Sequence, residues 1–559
     1  MAERLNRKKR AKSRRTLWIV LGSVVALVVV CLAVGIYVAV QLTRGATVSR
    51  EPGTLIVASS PEKEALFQEL VEQFNRANYR AGDGTLMRVS ASYMDMDQLI
   101  AAAVEGSVDA ISPDSSVWLA EVDARYREAT GGNVPLAGRS FRYAVSPVVI
   151  AAWEDVARSL GWPGPVGWQT LLAKAKEDPN FKWSHPSTST ASGLLATLAE
   201  FYAGAGKTRS LTPEDVQAQA TLDYVAALEK TVRYYGEGEL AVIQRARDEG
   251  PGFLDAFVVQ EQMAIRFNQD RKGRPRLVAI YPQEGTLWED HPMVLLEHPN
   301  VTALQRETFE RWRQFLLSEE VQRLVLQHGY RPADLNIRLE TPISPEYGAD
   351  PSQPQTTLQI PGSDVIEVVR DAWWYTKRRT NVYLVVDTSG SMAGEKLKNA
   401  QEALRIFIQQ IRGQDERVGM VLFASNVYNI LEVEELGQNR DALLGTVDRL
   451  QAGGNTALLD GVNAAYVRLQ QLKDSERINA IVAMTDGKEN NSGISRRDLE
   501  RKIQEGNQKG VPVVIFCIAY GDDADYKTLE GLAKASGGQV RTGDLETIRN
   551  LYKVLSTYF

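Results

Sequence analysis

Apolar positions along the chain fall into three regimes. Leu17–Val40 is an unbroken run of 24 residues without a charge. From 52 to 340 short apolar runs alternate with stretches whose apolar residues recur every three or four positions. From 380 onward the same alternation resumes with longer, β-branched runs. At ~1.5 Å per residue the first run reaches roughly 36 Å as a helix, enough for a ~30 Å hydrocarbon core. The apolar core of a signal peptide would be shorter, about 7–15 residues, and no small-x-small cleavage pattern follows closely. Met1–Arg15 carries eight Lys/Arg against one Glu. The pattern therefore predicts a basic cytoplasmic segment at 1–16 and an uncleaved transmembrane helix at 17–40. The remainder is expected outside the membrane.

In the second regime, Thr54–Ala58 reads as a strand and Ser59-Ser60-Pro61-Glu62 as the opening of a helix carrying Leu66, Leu70 and Phe74. Leu86–Ala91, the helix Asp97–Val104 and Val108–Ile111 continue a parallel α/β pattern. Phe141–Ala152 reads as a strand crossing into a second, helix-rich lobe over 168–262. Met263–Phe267 and Arg276–Tyr281 read as strands returning to the first lobe. Residues 341–362 hold five prolines and little apolar material, which predicts an extended, exposed linker. A connecting helix over 363–379 follows, with Asp364 and Glu367 spaced as a capping box. Its Val365, Val368, Val369, Ala372 and Trp373 suit docking on a neighbouring domain.

In the third regime Val382–Val386, Arg417–Ala424, Val427–Leu431, Arg477–Ala483, Val511–Ala519 and Gln539–Arg541 read as strands. Helices are expected from Leu397 to Ile411, over Ala457–Gln471 and Tyr526–Ala535, and last over Leu545–Leu555. With right-handed crossovers these elements fit a doubly wound, mostly parallel six-stranded sheet.

The chemistry sits at strand ends. Val382–Val386 runs into Asp387-Thr388-Ser389-Gly390-Ser391, and Arg477–Ala483 into Met484-Thr485-Asp486-Gly487. Gly453-Gly454-Asn455-Thr456-Ala457 is a glycine-rich loop that opens a helix. In a doubly wound sheet ligands bind at such strand C-termini. Carboxylates and hydroxyls are hard donors, suited to Mg²⁺, Ca²⁺ or Mn²⁺ and poorly to zinc. The same residues would also serve as helix caps, but five of them in strand–loop context go beyond capping. DTSGS, the loop threonine and TDG resemble the metal-ion-dependent adhesion site of the von Willebrand factor A (VWA) family, over about 380–559. The resemblance implies that Ser389, Ser391 and Thr456 touch a divalent metal, Mg²⁺ before Mn²⁺ or Ca²⁺. It places Asp387 and Asp486 on the metal directly or through water, and it implies a protein partner bound through an Asp or Glu.

Residues 52–340 are similar to bacterial extracellular solute-binding proteins, two α/β lobes joined by a hinge. The resemblance is carried by Leu55–Ser60 with its helix and by Ser318–Pro332, SEEVQRLVLQHGYRP. Ser59 and Ser60 at one helix start, and Ser187, Thr188 and Ser189 at another, are the candidate ligand residues. Helix starts rich in N–H and hydroxyl donors suit a small anionic solute.

Composition adds little. With pI near 5.6, nothing points to nucleic acid. Cys31 lies in the predicted span and Cys517 in a strand run, so no intrachain disulfide is expected. No Walker loop, GxSxG elbow or zinc-type His pair appears, so no enzyme is expected. His185, His291, His298 and His328 lack metal-ligand spacing. Three functions fit: a single-pass cell-membrane receptor that captures a solute and adheres to a protein through metal, a solute-binding component of a transporter, or a VWA subunit serving an AAA+ ATPase in assembly or metal insertion.

Overall fold

The computed structural model describes residues 51–236, 238–521 and 523–543. The basic segment 1–16, the span 17–40 and the helix Leu545–Leu555 lie outside the described residues. Among the described residues no helix is long and apolar enough to cross a membrane.

Three sheets organise the chain, and each is covered on both faces. The first lobe orders its strands Arg88–Tyr93, Thr54–Ser59, Ala110–Ser112, Pro292–Leu296 and Ala137–Arg142. The first three are parallel, and Pro292–Leu296 is antiparallel to both its neighbours. In Thr54–Ser59, Leu55 and Val57 pack on Leu66, Phe67, Leu70 and Phe74, while Ala58 faces Leu99 and Ile100 on the other side. The second lobe is built on Ala144–Trp153, flanked by Ala256–Gln260 and Leu277–Ile280. Its Val148, Ile150 and Ala152 face one core, its Val149, Ala151 and Trp153 the other. The third sheet orders Val427–Glu435, Arg417–Phe423, Thr380–Asp387, Ile478–Thr485, Val513–Tyr520 and Val540–Gly543, all parallel but the first. Again the central strand alternates: Val382, Leu384 and Val386 meet Phe407, while Tyr383 and Val385 meet Val462 and Tyr466. A strand buried on both faces needs apolar residues at every position, which is why these runs read as continuous.

Several expectations need correction. Met263–Phe267 belongs to the helix Glu261–Gln269, buried around most of its circumference. A short run buried on all sides carries no periodicity to separate strand from helix. Leu277–Ile280 pairs with Ala144–Trp153 in the second lobe, and Pro292–Leu296 makes the return to the first. Phe141–Ala152 is divided between two sheets, with the break at Tyr143. The proline-rich segment is not an exposed linker. Ile343, Ala349 and Leu358 are buried, and Leu358 N–H donates to Thr286 O at 2.9 Å. Gly285 lies beneath Leu358 with a positive φ of 127°, where a Cβ would stand 2.5 Å from Leu358 Cδ2. Few apolar residues suffice when each is anchored. The helix Ser363–Thr376 has Gly362 at its N-cap and no side-chain cap bond, so the Asp364–Glu367 box does not form. The helix instead buries Val365, Val369 and Trp373 in the core of the second lobe.

Beyond that helix, Arg378 ties lobe to C-terminal sheet. Its guanidinium donates to Val232 O at 2.8 Å and to Ser475 O at 2.6 Å.

Candidate functional site

Strands Thr380–Asp387 and Ile478–Thr485 run parallel, with Val386 opposite Met484. The next residues of both therefore emerge at one edge. Asp387 accepts from Ser389 N–H at 2.7 Å and from the Thr485 hydroxyl. Ser389 Oγ lies 3.0 Å from Ser391 Oγ, which donates to Asp486 Oδ1 at 2.6 Å. Lys396 Nζ donates to Asp486 Oδ2 at 2.6 Å. The third hydroxyl is brought in by the glycine loop. Gly390 N–H donates to Gly454 O at 3.0 Å, and Gly453 N–H to Thr388 O at 2.8 Å. Gly454 has a positive φ of 87°, and a Cβ there would stand 2.6 Å from Ser425 Oγ. Thr456 is fixed by Asn490 Oδ1, which accepts its N–H at 3.0 Å. A Cβ on Gly487 would lie 3.1 Å from Ser391 Oγ and 3.2 Å from Thr456 Oγ1, so these hydroxyls flank one glycine. All five sequence-predicted residues thus converge.

Capping does not explain the arrangement. Ser389 precedes the short turn Gly390–Met392 yet makes no side-chain cap bond. Asp387 and Asp486 are fully buried, whereas Gly390 and Ser391 are exposed, so the carboxylates stand behind an open mouth. Burial raises the Asp387 carboxyl above its ordinary pKa, against the hydrogen bonds of Thr485 and Ser389, and the charge of Asp486 adds to the rise. Its hydrogen bonds come from neutral donors alone. A buried carboxylate beside a second one, with hard oxygens around both, fits a divalent cation. Lys396 went unnoticed in the sequence, because a lysine in the first turn of an amphipathic helix reads as a solvated residue.

The second predicted set is divided between the lobes, with Ser59 and Ser60 on the first and Ser187, Thr188 and Ser189 on the second. Ser60 precedes the turn Pro61–Lys63 but makes no cap bond, and its buried hydroxyl has no partner. Nearby, Lys63 Nζ donates to Ser112 O at 2.7 Å, Ser112 Oγ at 2.8 Å and Pro113 O at 2.7 Å. Asp114 accepts from Trp118 Nε1 at 2.9 Å. From the second lobe, Glu239 accepts from Gln260 N–H at 2.6 Å and Nε2 at 2.7 Å. Glu62 Oε2, Glu289 Oε2 and His291 Nδ1 have no hydrogen-bond partner, and Glu289 Oε2 stands 4.0 Å from His291 Nε2. Burial first, then the charges of Asp114 and Glu239, push Glu62 up to about 8. Burial likewise raises Glu239 to about 7 and Glu289 well above the carboxylate range, and lowers Lys63 to about 7.

Four carboxylates face one ammonium there. Burial raises the pKa of these carboxyl groups, so the setting is more acidic in composition than the serine-rich helix starts implied. Ser59 is buried and its hydroxyl turns back to Ser60 O. The Ser187 and Ser189 hydroxyls bond one another at 2.6 Å, with Ser187 and Thr188 buried and Ser189 exposed. Thr190 caps the helix Ala191–Ala205 through Gly193 N–H at 3.1 Å. Ser192, next in the same run, is the hydroxyl that reaches Glu239.

Two family models divide the chain into two domains. Residues 55–331 match the family described as bacterial extracellular solute-binding protein, and residues 381–553 the von Willebrand factor type A domain. The chain is an extracellular solute-binding domain followed by a C-terminal VWA domain. It is 26% identical over 181 residues to an uncharacterized protein of Synechocystis sp., covering 32% of this chain and 41% of that one. It is 32% identical over 160 residues to calcium-activated chloride channel regulator 1 of Equus caballus, covering 28% of this chain and 16% of that one. The chain thus spans less than half the length of these relatives. Among solved structures, a von Willebrand factor type A protein from Catenulispora acidiphila aligns at 24% identity and TM-score 0.28, covering 32% of this chain and 42% of that one. The substrate-binding protein of an ABC transporter from Agrobacterium tumefaciens aligns at 13% identity and TM-score 0.41, covering 60% and 96%.

Proposed function

We propose that this chain is a membrane-anchored, extracytoplasmic binding protein. Its VWA domain engages an acidic side chain of a protein partner through a divalent metal, and its two-lobed domain takes a small solute. The observation that carries the adhesive reading is the line of oxygens from Ser389 through Ser391 to Asp486, spaced 3.0 and 2.6 Å. Ser389, Ser391 and Thr456, with Asp387 and Asp486 directly or through water, would hold Mg²⁺ in preference to Mn²⁺ or Ca²⁺. When bound, the ion supplies a Lewis-acidic position for a carboxylate oxygen. The protein's own residues prepare that position. Thr485 and the Ser389 N–H orient Asp387, and Lys396 holds the far oxygen of Asp486 while Oδ1 stays with Ser391. The exposed Gly390 and Ser391 leave the mouth open to a partner. Loss of Mg²⁺-dependent binding to a carboxylate-bearing peptide surface in Ser391→Ala supports the reading. Adhesion indifferent to chelation sinks it.

For the solute, the excess of carboxylates and the unpartnered Glu62, Glu289 and Ser60 oxygens favour a small cation, such as an amine. A thermal-shift panel of amines and oxyanions tests this. Amines should stabilise the protein, and Glu289→Gln and Ser60→Ala should weaken the shift. Stabilisation by oxyanions alone would reverse the assignment.

A further inference from the structure

A separate cluster lies in the second lobe. His185 follows the strand Trp183–Ser184, Glu200 sits on the helix Ala191–Ala205, and Glu229 ends the helix Gln219–Glu229. All three are buried. His185 Nε2 lies 3.3 Å from Glu229 Oε2 and 3.9 Å from Glu200 Oε1. The three donor atoms fall within 4.8 Å of one another.

The hydrogen bonds around the cluster fix the roles of these atoms. His185 Nδ1 is 2.7 Å from Pro186 O. A carbonyl only accepts, so Nδ1 carries a hydrogen and Nε2 is the nitrogen turned toward the carboxylates. An imidazole anchored to a carbonyl in this way is the usual posture of a metal-bearing histidine. Glu229 is oriented by Trp373 Nε1 on Oε1 and the Tyr235 hydroxyl on Oε2, both at 2.7 Å. Glu200 is different: no donor group reaches either of its oxygens, its one side-chain partner is the Glu229 carboxylate, and burial with the charge of Glu229 raises its carboxyl well above the ordinary range. A buried pair of carboxyl groups beside an imidazole nitrogen needs either a shared proton or a cation.

We propose that His185, Glu200 and Glu229 hold a divalent transition-metal ion, of the Zn²⁺ or Mn²⁺ class, distinct from the ion of the VWA domain. Two carboxylates and a neutral imidazole carry the charge that balances a dication. One nitrogen with two oxygens selects Zn²⁺ or Mn²⁺ over Mg²⁺. An ion about 2.1 Å from each donor requires donor separations of roughly 3–4 Å, and the two measured from Nε2 are 3.3 and 3.9 Å. The position gives the ion a structural task. Trp373 belongs to the helix that leads into the VWA domain, and Tyr235 accepts from Arg378 N–H at 2.7 Å just beyond it. The centre thus braces the joint between the two domains. The competing arrangement is metal-free, with one proton on Glu200 and one on Nε2.

The test uses the full protein purified without chelator from medium supplemented with zinc and manganese, beside Asp387→Ala, Glu200→Gln and His185→Gln. Elemental analysis should find a tightly held Zn or Mn in wild type and in Asp387→Ala, reduced roughly tenfold or more in Glu200→Gln and His185→Gln. Protein unfolded and refolded with Co²⁺ should show the visible absorption of a nitrogen-ligated cobalt ion, absent in Glu200→Gln. If His185→Gln fails to fold, the near-isosteric Glu200→Gln and the metal content of wild type decide. No transition metal in wild type by either route, with Glu200→Gln as stable as wild type, overturns the proposal in favour of the protonated network. Because Asp387→Ala silences only the VWA site, failure there and failure here read out separately.

Discussion

Gly487→Ala separates the metal site from the fold. A methyl group at 487 would stand 3.1 Å from Ser391 Oγ and 3.2 Å from Thr456 Oγ1, whereas ordinary contacts begin at 3.4 Å. Both hydroxyls must then retreat by a few tenths of an ångström. For the fold this is a small strain, about 1 kcal/mol, which shifts the melting temperature by only a few degrees. For a metal shell it is large, because Mg²⁺ requires near-octahedral oxygens at about 2.0–2.1 Å and tolerates displacements of only about 0.2 Å. Two donors displaced together should weaken Mg²⁺ binding by roughly ten- to a hundredfold, or about 1.4–2.8 kcal/mol. Calorimetric Mg²⁺ titration beside a thermal melt reads both quantities. Unchanged Mg²⁺ affinity with the methyl in place would refute the assignment of Ser391 and Thr456 as ligands.

Two further outcomes follow from the geometry and a third from the sequence of the N-terminal segment. Glu62 and Glu239, raised to about 8 and about 7, hold protons that the unfolded chain has released. Their contribution to stability is present below about pH 4.5 and is lost as pH rises through those values. Stability relative to Glu239→Gln should therefore fall between pH 5 and 8, a comparison that cancels His291, which burial pushes down; a rising difference contradicts the burial of Glu239. Trp373→Phe removes the 2.7 Å bond to Glu229 and part of a buried ring, so denaturant unfolding should show a loss of about 2–4 kcal/mol; a loss below 0.5 times the lower figure, about 1 kcal/mol, speaks against the joint described. Protease added outside intact cells should remove both large domains, and a protected VWA domain would favour the cytosolic ATPase-partner alternative.

The convergence of Asp387, Ser389, Ser391, Thr456 and Asp486 was legible because it depends on local sequence. Each donor stands at the end of an apolar run or the start of a helix, so the strand pattern alone puts Asp387 and Asp486 on one edge. Helices with thin apolar stripes were not. Arg496–Lys509 buries only Leu499 and Ile503, and Leu436–Asp448 carries Gly437 and Gly445, so neither announced itself. Glu62, Asp114, Glu239 and Glu289 escaped notice because burial and mutual charge are properties of the assembled lobes. Glu62 beside a lysine and Glu289 beside an aspartate read as solvated pairs in the chain. His185, Glu200 and Glu229 come from separate elements, with no spacing to connect them. One signal was available: Glu200 is the single charged residue in the otherwise apolar or neutral helix Ala191–Ala205.

The metal proposed for the VWA domain rests on Asp387 and its neighbours. Calorimetric titration of the protein with Mg²⁺, beside Asp387→Ala, tests it most directly. Asp387 supplies one of two buried carboxylates, so its removal should weaken Mg²⁺ binding at least roughly tenfold, about 1.4 kcal/mol, with the melting temperature of the metal-free protein little changed. Equal Mg²⁺ affinity in the two proteins, or no Mg²⁺ binding by the wild type, would contradict the account.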